Sequence, residues 1–303
     1  MTEMTVFQMN LREKLPSVEL RFDEPMSRHT SFRIGGPAAV MAFPKNAREL
    51  ADLLKVSALL DVKPAILGAG TNVLAPDGGI DNLVICLKDC MGGMERIDDT
   101  TIRVAAGVTM TRAAVFASNL GLSGMEFAHG IPGTVGGGVY MNAGAYGGEI
   151  KDICVAVDVM DMQGNITRRT NEEMGFSYRH SVLEEAQLIV LAAEFKLIPA
   201  PSEEVKAKMQ ELLRKRSASQ PLDLPSAGSA FKRPVGGYAA ALIDQADLKG
   251  YTVGGAAIST KHAGFAVNVG GATAADVRNL LRQVSDIVFE KSGIRLEPEV
   301  RIW

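Results

Sequence analysis

An α+β fold is predicted for this chain by three observations. Strand-like and helix-like segments follow one another without the regular alternation of a doubly wound sheet. No internal repeat or low-complexity tract is present. The 303 residues, 47% apolar and 22% charged, suffice for about two domains of ~100–200 residues each.

The elements follow from local signals. His29-Thr30-Ser31-Phe32-Arg33-Ile34-Gly35-Gly36 reads as an extended, glycine-tipped segment. A helix follows, with Asn46 as cap, Glu49 completing a capping box, and Leu50, Leu53 and Leu54 as its apolar stripe. Pro64–Leu67 is a short buried strand that runs into Gly68-Ala69-Gly70-Thr71-Asn72, and Leu83–Leu87 is another. Ile102–Ala105 is a strand, after which Thr109 caps a helix ending near Gly121. Residues 130–148 are the most glycine-rich of the chain. Cys154–Asp161 and Ile166–Thr170 flank Gly164-Asn165 as a hairpin. Leu188–Leu197 is a long strand. Pro199-Ala200-Pro201 breaks the pattern, and Ser202 caps the next helix. The segment from Gln220 to Pro234 shows little regular character. A final helix starts after Thr273, buries Val277, Leu280, Leu281, Val284 and Val288, and ends at Gly293. The tail Leu296–Trp303 is partly strand-like. Two domains are expected, 1–199 (with subdomains of about 1–88 and 89–199) and 200–303.

Composition excludes several classes. A net charge of -3 gives no basic excess for nucleic acid or an anionic membrane, so an anionic substrate needs a local basic pocket. Cys86, Cys90 and Cys154 form no disulfide framework and no zinc set; buried free thiols are expected, and no metal. His29, His129, His180 and His262 are scattered, with no two at metal spacing. The N-terminal stretch carries acidic residues and no continuous apolar core, which is unlike a signal peptide. No run approaches the ~18 apolar residues of a membrane span. A cytoplasmic protein is expected.

The chemistry-bearing signal is glycine. Backbone N–H groups bind phosphate where no side chain intervenes. Two cradles qualify: Gly68-Ala69-Gly70-Thr71-Asn72 directly after a strand, and Gly130-Ile131-Pro132-Gly133-Thr134-Val135-Gly136-Gly137-Gly138. Neither is a P-loop and neither fits Gly-x-Gly-x-x-Gly, which disfavours a Rossmann site. Tight turns remain the competing explanation for the first loop. The second has eight glycines between Gly130 and Gly148, with Asn142 and Tyr146 interleaved. A run that long is costly in conformational entropy, and a simple turn does not need it.

Leu67-Gly68-Ala69-Gly70-Thr71-Asn72-Val73-Leu74 and Gly130-Ile131-Pro132-Gly133-Thr134-Val135-Gly136-Gly137 resemble the FAD pyrophosphate loops of the UDP-N-acetylenolpyruvoylglucosamine reductase family. Its FAD-binding fold is shared with flavoproteins of the vanillyl-alcohol-oxidase/PCMH type. Three further segments separate the reductases from that wider group. Phe176-Ser177-Tyr178-Arg179-His180-Ser181 resembles the segment with the catalytic arginine. Ala227-Gly228-Ser229-Ala230-Phe231-Lys232-Arg233-Pro234 resembles the segment with the catalytic serine. Leu296-Glu297-Pro298-Glu299-Val300-Arg301 resembles the segment with the catalytic glutamate. Lys261–Asn268 is similar to a family segment near the substrate. Many members have asparagine at the position of Arg233, and many continue beyond the position of Trp303. The length resembles the shorter, type II form, which lacks a tyrosine-bearing loop over the substrate.

The resemblance implies a C-terminal α+β substrate-binding domain. It also implies an enzyme that uses FAD and NADPH to reduce UDP-N-acetylglucosamine-enolpyruvate to UDP-N-acetylmuramate, a peptidoglycan precursor. The implied catalytic residues are Arg179, Ser229 and Glu299. FAD is expected at Leu67, Gly68, Ala69, Gly70, Thr71, Asn72, Gly130, Pro132, Gly133, Thr134, Gly136 and Gly137. Substrate is expected at Tyr178, Lys232, Arg233, His262 and Asn268. The partner is this small UDP-sugar nucleotide, and the chain is expected to act as a monomer. Arg179 suits a carboxylate, because a guanidinium is always charged and binds it as a fork. Ser229 suits proton delivery to a carbanion-like carbon, a base strong enough to take a proton from a weak acid. An ionised Glu299 would be repelled there, so it is either protonated by burial or orients Arg179 or a water; Glu297 is the competing carboxylate. Arg214-Lys215-Arg216 is either a solvated helix face or a site for the UDP phosphates. The glycine loops alone leave open an oxidase or dehydrogenase of a hydroxy acid on the same flavin fold, or a non-enzymatic nucleotide binder.

Overall fold

The final helix, Ala274–Ser292, shows how the sequence makes its elements. Thr273 accepts from the Asp276 N–H and Asp276 reaches back in a capping box, while Gly293 closes the helix at φ 73. Val277, Leu280, Leu281, Val284 and Val288 are all buried, as their spacing predicts. Each such side chain contributes about 1.5–3 kcal/mol on burial. The computed structural model describes residues 4–303. Residues 1–3, part of the N-terminal stretch read as unlike a signal peptide, lie outside the described residues.

The chain divides into two compact units: Met1–Phe22, Ala39–Ala69 and Asn82–Arg214 form one, and Asp23–Ala38, Gly70–Asp81 and Lys215–Trp303 the other. The first unit holds a five-stranded antiparallel sheet, in the order Ile166–Thr170, Cys154–Met160, Ile189–Lys196, Thr101–Ala105, Met94–Arg96. Helix Met110–Asn119 and the short glycine helix Val135–Tyr140 share its core around Val104, Val157 and Phe195. In the same unit Ala65–Leu67 pairs in parallel with Val84–Cys86, Leu67 opposite Cys86. The second unit carries a four-stranded antiparallel sheet, in the order Ser226–Ser229, Phe265–Asn268, Ala256–Ile258, Thr252–Val253. Helices Ala239–Gln245 and Ala274–Ser292 pack their apolar residues into its core. Mixed strands and helices of this kind make the predicted α+β class.

Several local expectations are corrected. His29–Gly36 is no strand: Thr30 Oγ1 bonds both the N–H and the carbonyl of Ile34, and Arg33 turns the chain at φ 57. The strand comes after it, at Pro37–Phe43. The N-terminal arm contains a helix, Val6–Lys14, started by a Thr5/Gln8 capping box. Asn46 caps its helix as expected, but Glu49 closes on the Lys45 N–H at 2.8 Å instead of on the cap residue. Ser202 is the first residue of its helix, and its hydroxyl donates to the Ser118 carbonyl at 2.7 Å. The 154–170 hairpin forms, and Asp161 closes its loop by accepting from the N–H groups of Gln163 and Asn165. The segment from Gln220 supplies a strand, Ser226–Ser229, that sequence pattern missed. Among the described residues, no helix is long and apolar enough to cross a membrane.

Candidate active site

The two glycine loops are built on strand and helix ends. In the first unit, the Leu87 N–H bonds the Leu67 carbonyl at 2.8 Å and fixes the start of the first loop. A Cβ on Gly68 would lie 2.7 Å from Thr134 Oγ1, so here the loop packs directly against the second one. Thr134 is buried and caps helix Val135–Tyr140 by accepting from the Gly137 N–H. The Met110 N–H holds the Gly133 carbonyl at 3.0 Å. Val135 and Gly136 donate to the Val108 and Ala106 carbonyls, and a Cβ on Gly136 would sit 3.0 Å from that of Ala106. Gly136 is therefore glycine for packing, and its amide is already engaged. His129, just before Gly130, has a buried Nδ1 with no hydrogen-bond partner among the described residues. A surface poor in side chains beside an unsatisfied buried nitrogen fits a dinucleotide such as FAD.

In the second unit, Gly70 stands at φ 62, and a Cβ there would meet the His29 carbonyl at 2.0 Å. Only glycine tolerates both the angle and the approach. Thr71 and Asn72 lead into Val73–Leu74, which pairs in parallel with Arg301–Ile302.

Arg179 lies on a tight turn of the first unit. Ser177 and His180 exchange both backbone hydrogen bonds, at 3.1 and 3.2 Å, leaving Tyr178 and Arg179 as the turn residues. Arg179 takes φ 55, a left-handed conformation that costs a side-chain-bearing residue about 1 kcal/mol. Its guanidinium lies 5.1 Å from the Tyr178 ring centroid.

The segments that carry Ser229 and Glu299, far apart in sequence, pair along one seam of the second unit. The Glu299 N–H donates to the Ala230 carbonyl and the Lys232 N–H to the Glu297 carbonyl, both at 2.9 Å. Phe231 and Pro298 form the antiparallel bridge between them. Ser229 follows an irregular register in its strand, where Gly228 takes φ 76. Such a bulge re-aims the next side chain. Asn72 Nδ2 donates to the Glu299 carbonyl at 3.1 Å, and Asn72 in turn accepts from the Arg301 N–H. The competing Glu297 is exposed, with its carboxylate 3.3 Å from Lys232 Nζ, whereas Glu299 is half-buried.

The remaining residues are placed as follows. Arg233 is exposed and stacks on Tyr238, 4.5 Å from its ring centroid. His262 accepts the Gly264 N–H at Nδ1, which leaves its proton on Nε2 when neutral. Burial holds its pKa below the ordinary range. Asn268 braces the fold, donating to the Phe32 carbonyl and accepting from the Gly270 and Ala272 N–H groups. Cys86, Cys90 and Cys154 are free thiols, and burial pushes Cys90 up to about 11 and Cys154 up to about 12, so neither is an activated nucleophile. His180, Glu184 and Glu185 bring ligand atoms within 4.8 Å of one another, which the scattered histidines of the sequence did not foretell. Both glutamates are exposed, and exposed acidic groups gather in this way without an ion.

Residues 220–303 match the family model for the C-terminal domain of UDP-N-acetylenolpyruvoylglucosamine reductase, and residues 37–170 match that for an FAD binding domain. A UDP-N-acetylenolpyruvoylglucosamine reductase of Caldanaerobacter subterraneus subsp. tengcongensis is 47% identical over 96% of both chains. The chain belongs to the UDP-N-acetylenolpyruvoylglucosamine reductase family. A reductase of the same name from Agathobacter rectalis is 45% identical over 98% of both chains. The crystal structure of UDP-N-acetylenolpyruvylglucosamine reductase from Thermus caldophilus covers 94% of this chain, at 37% identity and a TM-score of 0.79. Family membership bears out the expected flavoprotein fold of the vanillyl-alcohol-oxidase/PCMH type with its C-terminal α+β domain. This member of the family is an FAD-dependent oxidoreductase.

Proposed function

We propose that the chain uses NADPH, through FAD, to reduce the enolpyruvyl double bond of UDP-N-acetylglucosamine-enolpyruvate, yielding UDP-N-acetylmuramate for peptidoglycan. The observation that carries this reading is the seam that pairs the Ser229 segment with the Glu299 segment, with the Glu299 N–H on the carbonyl of Ala230, next to Ser229. Neither Ser229 nor Glu299 is needed by a flavin site as such, and both lie on segments similar to the family's catalytic ones. FAD, when bound, would supply hydride transfer, with NADPH as the reductant and the vinyl CH2 carbon as the acceptor.

The protein's own residues then have two tasks. Negative charge builds on the carbon next to the reduced one and spreads into the substrate carboxylate, where Arg179 binds it as a fork. Ser229 delivers a proton to that carbon from its hydroxyl. Glu299 either donates a hydrogen bond as a protonated acid or orients Arg179 or a water. Leu67, Gly68, Ala69, Gly70, Thr71, Asn72, Gly130, Pro132, Gly133, Thr134, Gly136 and Gly137 would hold FAD, Gly136 by its missing side chain since its amide is engaged, while Tyr178, Lys232, Arg233, His262 and Asn268 form the substrate side, with Asn268 acting as a brace. This reading divides the chain into 1–199 for the cofactor and 200–303 for the sugar nucleotide, and sets the reaction in the cytoplasm in a monomer.

The test is direct. The purified protein is mixed with NADPH and UDP-N-acetylglucosamine-enolpyruvate, and absorbance at the nicotinamide band is followed. Substrate-dependent NADPH loss is expected; its absence would sink the assignment.

A further inference from the structure

The glycine-rich stretch continues well past the flavin loop, and its second half does a different job. Helix Val135–Tyr140 is capped by Met141, and the next residue, Asn142, is fully buried (0% exposed) and turns the chain at φ 41. Its side chain makes three hydrogen bonds. Oδ1 accepts from the Lys151 N–H at 2.9 Å. Nδ2 donates to Glu149 Oε2 at 2.9 Å and to the Ser177 carbonyl at 3.0 Å. Ser177 is the first residue of the turn that carries Tyr178 and Arg179. On the far side of that turn, buried Ser181 donates from Oγ to the Tyr140 carbonyl at 2.7 Å. The turn is thus tied at both ends to residues 140–142, immediately after the glycine helix.

We propose that Asn142 is a positioning residue for the reduction, holding the Arg179 turn so that its guanidinium meets the substrate carboxylate. The proposal rests on the reading of Arg179 given above. The physical need is plain. Arg179 occupies a left-handed conformation that the surroundings must impose. The turn's own pair of backbone bonds joins Ser177 to His180, and the Asn142 and Ser181 bonds tie those ends to the helix. A buried amide with both ends engaged is a stiff support, and a displacement of about 1 Å in a reacting group costs on the order of 100-fold in rate. Asparagine also suits φ 41 better than most residues with a side chain.

The test uses the flavin-loaded enzyme and measures two half-reactions separately: flavin reduction by NADPH, and reoxidation by the enolpyruvyl substrate. Asn142→Gly keeps the left-handed backbone and removes the ties. It is expected to leave reduction at the wild-type rate and to slow reoxidation by about 10–100-fold. Combined with Arg179→Ala, it is expected to add no further loss, because both changes remove one function. Amide exchange of the 176–181 segment is expected to quicken in Asn142→Gly before any substrate is added. Equal losses in the two half-reactions, or multiplicative losses in the double variant, would overturn the proposal alone. An Arg179→Ala enzyme that reoxidises at the wild-type rate would overturn the reading of Arg179 and the proposal with it. Should Asn142→Gly fail to hold flavin, Ser181→Ala removes the other tie and is judged by the same outcomes.

Discussion

The two regions that carry the proposed catalytic residues are built on opposite principles. In the first unit, Arg179 sits on a two-residue turn in a strained conformation, tied down by the side chains of Asn142 and Ser181. In the second, Ser229 and Glu299 are placed by main-chain pairing, with the Glu299 N–H on the Ala230 carbonyl and Phe231 opposite Pro298. Side-chain ties fail when one residue is replaced. A backbone ladder survives most single replacements, because each partner is a peptide group. Mutations near Arg179 are therefore expected to disturb geometry, whereas mutations at Ser229 or Glu299 are expected to remove the proposed chemistry and leave geometry intact.

The largest expected effect tests that contrast at its chemical end. Ser229→Ala removes a hydroxyl without touching the seam. Reoxidation of the reduced flavin by substrate is expected to slow by roughly 10²–10⁴-fold, the range for loss of a general acid. Flavin reduction by NADPH and the melting temperature are expected to stay at wild-type values. Stopped-flow absorbance of the two half-reactions measures this, and a matching loss in reduction would show that the seam holds structure and not chemistry.

A second comparison lies within the first glycine loop. Gly70→Ala forces a side chain to φ 62 and to within 2.0 Å of the His29 carbonyl, a backbone atom that cannot swing away. The conformational part alone costs about 1–3 kcal/mol, and the collision adds to it. Gly68→Ala meets Thr134 Oγ1 at 2.7 Å, a side-chain atom. The drop in melting temperature is expected to be larger at Gly70. The reverse order would mean that the buried Thr134 cap is the less yielding neighbour.

These positions also show what a sequence discloses. The final helix was legible because Val277, Leu280, Leu281, Val284 and Val288 repeat on one face and Thr273 and Gly293 bound it. The two loops proposed for FAD are legible as glycine clusters. Asn142 was seen only as an interruption of the glycine run, since its partner, the Ser177 carbonyl, lies on a segment that no local pattern connects to it. Ser226–Ser229 was missed for a related reason: a Ser-Ala-Gly-Ser stretch has no strand propensity, and it is a strand because Phe265–Asn268 pairs with it. The seat of Ser229 was thus invisible to pattern, while its identity came from resemblance.

A smaller effect is expected where a side chain does brace the seam. Asn72→Ala removes the hydrogen bond to the Glu299 carbonyl, worth about 1 kcal/mol. The Arg301 N–H still bonds the Asn72 backbone carbonyl, so the seam is expected to hold. Reoxidation is expected to slow by less than about tenfold, well short of the Ser229→Ala loss. A loss equal to that of Ser229→Ala would place Asn72 among the residues that act on substrate directly.

The smallest effect compares one histidine in each unit. Desolvation lowers the pKa of both His129 and His262. The folded state then binds each proton less tightly than the unfolded chain, whose histidines titrate near about 6.5. Their contribution to stability is complete above that pH and is lost as the pH falls through the window below it, because there the unfolded chain holds more protons. His262 has the more to lose: protonating Nδ1 breaks its bond from the Gly264 N–H, whereas His129 Nδ1 has no bond to break among the described residues. Melting temperatures at about pH 7.5 and about pH 5.5 are expected to differ less in His262→Asn than in His129→Asn, with the wild type falling most. If His129→Asn flattens the profile more, the unsatisfied nitrogen beside the glycine loop is the costlier site to protonate, and the glycine-loop region, not the Ser229 side, is where acid first destabilises the fold.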